Sequence, residues 1–296
     1  MVIYIRINGF GRAGTTVLRS AIERSKIQIV AIHDPLLDLK HVISVQDSHL
    51  IVKGYEINFC REKHAAAIPW KDAGAEYIVD TKGIFIKEAQ AKAHLSVDFK
   101  KVISCSLSVD APMFIMGVNL RSYDSSTDVI SGASCKTNAI SPLAKVINDR
   151  FTIVEGLTTT IHAYTVNQKL VDGPSHKYLR DGRSAPQNII PSNTSAATAV
   201  GEVLLELEGK LSGIAMMVPI SSISVVDLTC RVKKEASLDE MKDAVKEAAN
   251  GILSYTEDEF ASSDMKGNPN SCVFDIKASI AWNKNCFKLV GWYFHQ

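Results

Sequence analysis

The chain opens with Val2-Ile3-Tyr4-Ile5-Arg6-Ile7 and runs through Asn8 into Gly9-Phe10-Gly11-Arg12-Ala13-Gly14, with glycines spaced G-x-G-x-x-G. The apolar run predicts a strand and the glycines a tight turn. Thr15 to Arg24 follows with Val17, Leu18, Ala21 and Ile22 on one helical face, and Ile27 to Ile32 predicts a second strand ending in His33-Asp34-Pro35. Strand, turn, helix and strand in this order make the βαβ unit of a dinucleotide-binding sheet. The glycines let a pyrophosphate approach the backbone N–H groups that open the helix. Asp34, twenty residues after Gly14, suits a ribose 2′-hydroxyl and repels a 2′-phosphate. The glycine pattern alone is weak; its place in the full order carries the reading. His33 reads as a strand-end residue rather than a ligand.

A second feature stands far from the first. Ala133-Ser134-Cys135-Lys136-Thr137-Asn138 places a cysteine where a helix begins, and His162 follows twenty-seven residues later in Thr158-Thr159-Thr160-Ile161-His162-Ala163. A helix N-terminus lowers a thiol pKa, and an imidazole can take the proton and return it. A lone cysteine is more often buried packing, so spacing alone yields only a Cys–His candidate.

The 296 residues suffice for two domains, and 46% of them are apolar. A formal charge of +1 gives no global field for nucleic acid or an anionic membrane. No apolar run reaches the about 20 residues that span a bilayer, and the N-terminus reads as a strand, not a signal peptide. Cytoplasm is the expected location. The six cysteines, Cys60, Cys105, Cys135, Cys230, Cys272 and Cys286, form no C-x-x-C pair, so neither a zinc site nor a disulfide framework is expected.

Strand and helix patterns alternate early, with strands at Lys101-Val102-Ile103 and Asp128-Val129-Ile130-Ser131. After about residue 150 longer strands appear: Thr158 to Tyr164, Ala215 to Val218, Ser222 to Val232 and Cys272 to Ala281. Two helices lie among them. Ala196 to Leu207 carries Val200, Val203, Leu204 and Leu207 on one stripe. Leu238 to Ala249 has Ser237 and Glu240 in capping-box spacing, with Met241, Val245 and Ala248 inward. The fold class is α/β: a Rossmann-type dinucleotide-binding domain with a parallel sheet (1–133), then a mixed α+β catalytic domain (134–296).

Further segments join these two features: Ile7-Asn8-Gly9-Phe10-Gly11-Arg12, Asp72-Ala73-Gly74-Ala75-Glu76-Tyr77, Asp110-Ala111-Pro112-Met113-Phe114, Pro142-Leu143-Ala144-Lys145-Val146, Val171-Asp172-Gly173-Pro174-Ser175, Arg180-Asp181-Gly182-Arg183, Gln187-Asn188-Ile189-Ile190-Pro191 and Ser224-Val225-Val226-Asp227-Leu228-Thr229. From end to end the chain resembles the phosphorylating, NAD-dependent glyceraldehyde-3-phosphate dehydrogenase family. The resemblance implies oxidation of glyceraldehyde 3-phosphate with inorganic phosphate to 1,3-bisphosphoglycerate, a step of glycolysis, through a thioester on Cys135 with His162 as acid–base. It implies NAD as cofactor, with Gly9, Phe10, Gly11, Arg12, Ala13, Gly14, Asp34 and Ser108 around it. Ser134, Lys136, Thr194 and Ser195 fall at the substrate and phosphate positions, and the family forms homotetramers, with Arg180 to Pro191 in a contact region. Helix capping is the plainer reading of Ser134 and Thr194, and is compatible with anion binding. RNA binding through the cofactor cleft would rest on family analogy alone.

The chain departs from the family at several points. Lys136 stands at a phosphate-binding threonine, Leu170 at a threonine, Met217 at the arginine that grips the substrate phosphate, Ser195 at a glycine and Lys82 at a threonine near the cofactor. A shortened stretch after Asp47-Ser48-His49 predicts loss of an edge hairpin. The family continues beyond Gln296 with an asparagine that orients the nicotinamide and a helix, so exposed apolar surface is expected here. Two readings follow: a working dehydrogenase with weakened substrate binding, or a non-catalytic NAD-binding or interaction relative, the product of a decayed gene copy.

Overall fold

The computed structural model describes residues 2–37, 45–46, 49–62, 74–83, 89, 99–165, 168–175 and 178–294. Asp47 and Ser48, Asp72 and Ala73, and His295 and Gln296 lie outside the described residues. The chain clusters into two compact units. One holds residues 1–114 and 122–133 with residue 296; the other holds 115–121 and 134–295.

The first unit is built on one sheet. Its strands are β1 (Ile3–Asn8), β2 (Ile27–His33), β3 (Val45–Gln46), β4 (His49–Val52), β5 (Tyr55–Cys60), β6 (Tyr77–Asp80), β7 (Lys101–Ser104) and β8 (Val129–Ser131). They lie in the order β3-β4-β5-β2-β1-β6-β7-β8, parallel from β5 to β8. Helix α1 (Arg12–Ile22) connects β1 to β2 and buries Gly14, Leu18 and Ala21. Val17 and Ile22 pack on the same cluster with Ile7, Ile29 and Ile32, so the predicted apolar face is the one that meets the sheet.

A hairpin stands at the edge of the sheet among the described residues. β4 pairs antiparallel with β5 and with β3. Val52 faces Tyr55 across Lys53-Gly54, and both turn residues have positive φ, 48° and 82°. That is the geometry by which a two-residue turn matches the twist of its strands. The stretch after His49 thus returns directly into β5 through a two-residue turn.

The second unit carries a seven-stranded sheet. It comprises β9 (Ile153–Ala163), β10 (Ile190–Asn193), β11 (Leu211–Val218), β12 (Ile223–Val232), β13 (Leu253–Thr256), β14 (Cys272–Asn283) and β15 (Cys286–Phe294), in the order β10-β11-β9-β12-β15-β14-β13. Helix α2 (Cys135–Phe151) lies on one face, burying Ala139, Ile140, Leu143, Ala144 and Ile147 with Val226, Leu228, Phe274, Phe287 and Leu289. Helix α3 (Ala196–Val203) is shorter than the sequence stripe predicts. Leu204 leaves the helical region at φ −127° and ψ 82°, and a 3₁₀ turn, Leu205–Leu207, follows. The returning backbone comes so close that a Cβ on Gly201 would lie 2.9 Å from the Cα of Glu208. Helix α4 (Leu238–Ala248) starts at the predicted capping box of Ser237 and Glu240, and buries Ala244 with Met241 and Val245 while Ala248 is half-buried.

Candidate active site

Cys135 is the first residue of α2, and Ser134 is its N-cap. Ser134 Oγ accepts the Thr137 N–H at 3.1 Å and meets Thr137 Oγ1 at 2.8 Å. Asn138 Nδ2 donates to the Ser134 carbonyl at 2.9 Å. These bonds fix the first turn and hold the sulfur at the positive end of the helix, where no acidic residue offsets the dipole. Ala133, just before the cap, sits at φ 61°, a conformation that costs a non-glycine residue roughly 1 kcal/mol or more. Its N–H is held by Ser131 Oγ at 3.0 Å.

His162 is the penultimate residue of β9 and is 2% exposed. Strand alternation sends Thr158, Thr160 and His162 inward and Leu157 and Ile161 outward. The ring then meets Cys135, with Nε2 3.7 Å from Sγ. Its other nitrogen, Nδ1, lies 2.6 Å from the Ala163 carbonyl oxygen. A carbonyl can only accept, so Nδ1 carries the hydrogen, and in the neutral ring Nε2 is the acceptor turned to sulfur. Tyr293 packs edge-on to this ring, with centroids 6.1 Å apart. Sequence reading did not single out Tyr293; its alternation on β15 with Leu289 and Gly291 marks it only as inward-facing.

Lys136 is half-buried beside the nucleophile. Burial lowers its pKa, and the Cys135 sulfur is the charge that raises it. Met217, 5% exposed on β11, pairs in register with His162 across the parallel β11–β9 ladder. Thr194 and Ser195 open α3. Thr194, one residue before the N-cap Ser195, accepts the Ala196 N–H on Oγ1 at 3.1 Å, while the Ser195 side chain makes no cap bond. Leu170 is exposed, and its carbonyl accepts the Ser184 hydroxyl at 2.9 Å.

The glycine turn of the first unit is a separate piece of geometry. Gly9 adopts φ 99°, a conformation glycine takes without steric cost. Its N–H donates to the His33 carbonyl at 2.7 Å and its own carbonyl accepts Thr81 Oγ1 at 2.8 Å. A Cβ on Gly14 would lie 2.1 Å from that carbonyl oxygen, whereas one on Gly11 would meet nothing within 4 Å. Gly11 caps α1 with no side-chain bond. The result is an open cradle over the N–H groups of Gly11, Arg12 and Ala13, which fits a dinucleotide pyrophosphate. Asp34 stands at the rim: its carboxylate accepts the N–H of Phe10 at 2.8 Å and of Leu36 at 2.9 Å. Ser108 closes a turn, its Oγ accepting the Ala111 N–H at 3.1 Å.

Beneath the cradle lies a polar cluster that the sequence did not announce. His33 is buried, with Nδ1 2.7 Å from Asn8 Oδ1 and Nε2 2.5 Å from the Glu62 carbonyl oxygen. Asn8 Nδ2 donates to Asp80 at 2.6 Å. Burial pushes the Asp80 carboxyl up to about 6, against the opposing pull of that amide. The available signal was position: Asn8, His33 and Asp80 each end a parallel strand, where α/β sheets place ligands.

Among the described residues no group of three or more His, Cys, Asp or Glu side chains could hold a metal ion, and no helix is long and apolar enough to cross a membrane.

Comparison with known proteins supplies the remaining findings. Residues 134–294 match the family model for the glyceraldehyde 3-phosphate dehydrogenase C-terminal domain. Proteins named glyceraldehyde-3-phosphate dehydrogenase from Neurospora crassa and Sordaria macrospora are each 53% identical to the chain over 313 aligned positions, and one from Claviceps purpurea is 52% identical. Each alignment covers 99% of this chain and 93% of the relative.

Proposed function

The chain belongs to the glyceraldehyde-3-phosphate dehydrogenase family, and from that premise we propose that Cys135 and His162 carry its reaction. The chain is an NAD-dependent oxidoreductase of glycolysis that acts on glyceraldehyde 3-phosphate. The relatives lend nothing to a non-catalytic reading. The observation that carries the residue assignment is the 3.7 Å approach of Cys135 Sγ to an imidazole nitrogen whose partner is fixed on a carbonyl.

His162 Nε2 takes the thiol proton, and the N-terminus of α2 with the Lys136 ammonium stabilises the thiolate. Sulfur attacks the aldehyde carbon, a C–S bond forms, and the carbonyl oxygen takes the proton from His162. Bound NAD supplies the hydride acceptor for the oxidation. His162 removes the hydroxyl proton of the thiohemiacetal in that step, so that a thioester remains on Cys135. Phosphate oxygen then attacks the acyl carbon, the C–S bond breaks, and the thiolate is restored with 1,3-bisphosphoglycerate released.

Residues 1–133 form the NAD-binding domain in this reading, with Gly9, Phe10, Gly11, Arg12, Ala13 and Gly14 under the pyrophosphate, Asp34 at the ribose and Ser108 nearby. Residues 134–296 form the catalytic domain. Ser134, Thr194 and Ser195 line the anion sites. With Met217 in place of an arginine, Lys136 becomes the cation that recruits phosphate once the thiolate charge is consumed in the thioester. Lys136→Thr is expected to raise KM for phosphate about tenfold or more, the scale of a lost charged hydrogen bond. It should also slow alkylation of Cys135 at neutral pH, because removing the cation raises the thiol pKa. An unchanged alkylation profile would reject the coupling.

A cytoplasmic homo-oligomer, a tetramer as in the family, suits the surface. The sheet face opposite α2 exposes Leu157, Ile161, Ile214, Ile280 and Trp282, the last at 82%. A second copy of the chain would cover such a face.

The test is NADH formation by the full chain with NAD, glyceraldehyde 3-phosphate and phosphate. Phosphate-dependent turnover is expected. Nucleotide binding without turnover would overturn the assignment of Cys135 and His162.

A further inference from the structure

Lys82 reaches across the glycine turn. A Cβ placed on Gly9 would lie 2.8 Å from Lys82 Cγ, so the stem of this side chain runs over the loop. Its ammonium ends 3.2 Å from His33 Nδ1, at the carboxyl end of β2 and one residue before Asp34. The same Nδ1 lies 2.7 Å from the Asn8 amide oxygen, so the Lys82 ammonium comes down at the edge of the Asn8–His33 pair. Burial lowers the His33 pKa, and the nearby Lys82 charge lowers it further. Burial also lowers the pKa of Lys82, and the charges of Asp34 and Asp80 raise it.

The ribose corner therefore does not carry the bare negative charge that Asp34 suggests in the sequence. Both Asp34 oxygens already take a backbone N–H, from Phe10 and from Leu36, and the Lys82 ammonium is near enough for the carboxylate charge to raise its pKa. An acidic side chain at this corner selects against a 2′-phosphate by repulsion; a neighbouring cation cancels that repulsion and offers the phosphate a donor.

We propose that Lys82 makes this pocket accept a 2′-phosphorylated dinucleotide, NADP, alongside NAD. The inference rests on the reading of the glycine turn as the nucleotide site.

Calorimetry on the full chain with NAD and with NADP tests it, without reliance on turnover. The wild-type chain is expected to bind NADP within about tenfold of NAD. Lys82→Thr should raise the ratio of the NADP to the NAD dissociation constant about tenfold or more, the effect of one lost charge-assisted bond. Lys82→Arg, which keeps the cation, should hold the ratio near that of the wild type. The proposal fails if the wild type binds NAD and rejects NADP. It also fails if Lys82→Thr weakens both nucleotides equally, since the ammonium would then act on the pyrophosphate they share. A folded chain that binds neither nucleotide would overturn the nucleotide site itself, a result distinct from both.

Discussion

Cys135→Ser is expected to lower NADH formation at least about a thousandfold, while NAD binding measured by calorimetry stays at its wild-type value. Losses of this order follow when a nucleophile that works as a unit with its base is removed. Sulfur is suited to both halves of the reaction. It ionises near neutral pH at the end of a helix, and as a thiolate it leaves the acyl carbon when phosphate attacks. A hydroxyl at the same place has no comparable acidity, and His162 at 3.7 Å cannot supply the difference. His162→Asn is expected to cost roughly 10²–10⁴ in the acylation rate, the range for one general acid–base group. Combining the two changes should be no worse than Cys135→Ser alone within a fewfold, because each disables the same step. Single-turnover measurement of the NADH burst separates that step from phosphate attack. Additive losses in the double variant would show that the two side chains do not act as a pair.

Much of this geometry was legible in the residues, for identifiable reasons. The βαβ start could be read because a period of two, a glycine turn and a period near 3.6 follow each other within thirty residues. The capping box at Ser237 and Glu240 could be read because both partners are local. The Cys–His pair was visible only as two separate features, since its closure depends on β9 reaching from Ile153 to Ala163 and turning His162 inward. The β4–β5 hairpin went unread because the evidence for its turn was two residues, Lys53 and Gly54, at positive φ. The end of α3 was misjudged because Leu207 is buried, as the stripe required, but by a 3₁₀ turn rather than a continued helix. Lys82 could be seen as a departure from the family. Its reach to His33 could not, because that depends on the packing of β2 against β1 and of β1 against β6.

Two alanine substitutions in the glycine turn separate folding from ligand binding, and their contrast is the sharper test of the nucleotide site. Gly14→Ala drives a Cβ to 2.1 Å from the Gly9 carbonyl oxygen and 3.1 Å from Thr81 Oγ1. Gly9 cannot yield, because its N–H is bonded to His33 and its carbonyl to Thr81. The turn must break one of these bonds or push α1 away from β1, at a cost of roughly 1–3 kcal/mol. Gly14→Ala is therefore expected to lower the melting temperature and to abolish nucleotide binding together. Gly11 sits at φ −78° and ψ −155°, a backbone conformation open to alanine, and its Cβ would meet no protein atom within 4 Å. Gly11→Ala should leave the melting temperature of the free protein unchanged. If a pyrophosphate occupies the cradle, the new methyl group stands in its path, and NAD affinity should fall about a hundredfold or more, as overpacking at a close contact would produce. Thermal melts and calorimetry on both variants decide the matter. A Gly11→Ala chain that binds NAD like the wild type would place the nucleotide elsewhere; loss of binding without loss of stability would put the pyrophosphate over the N–H groups that open α1.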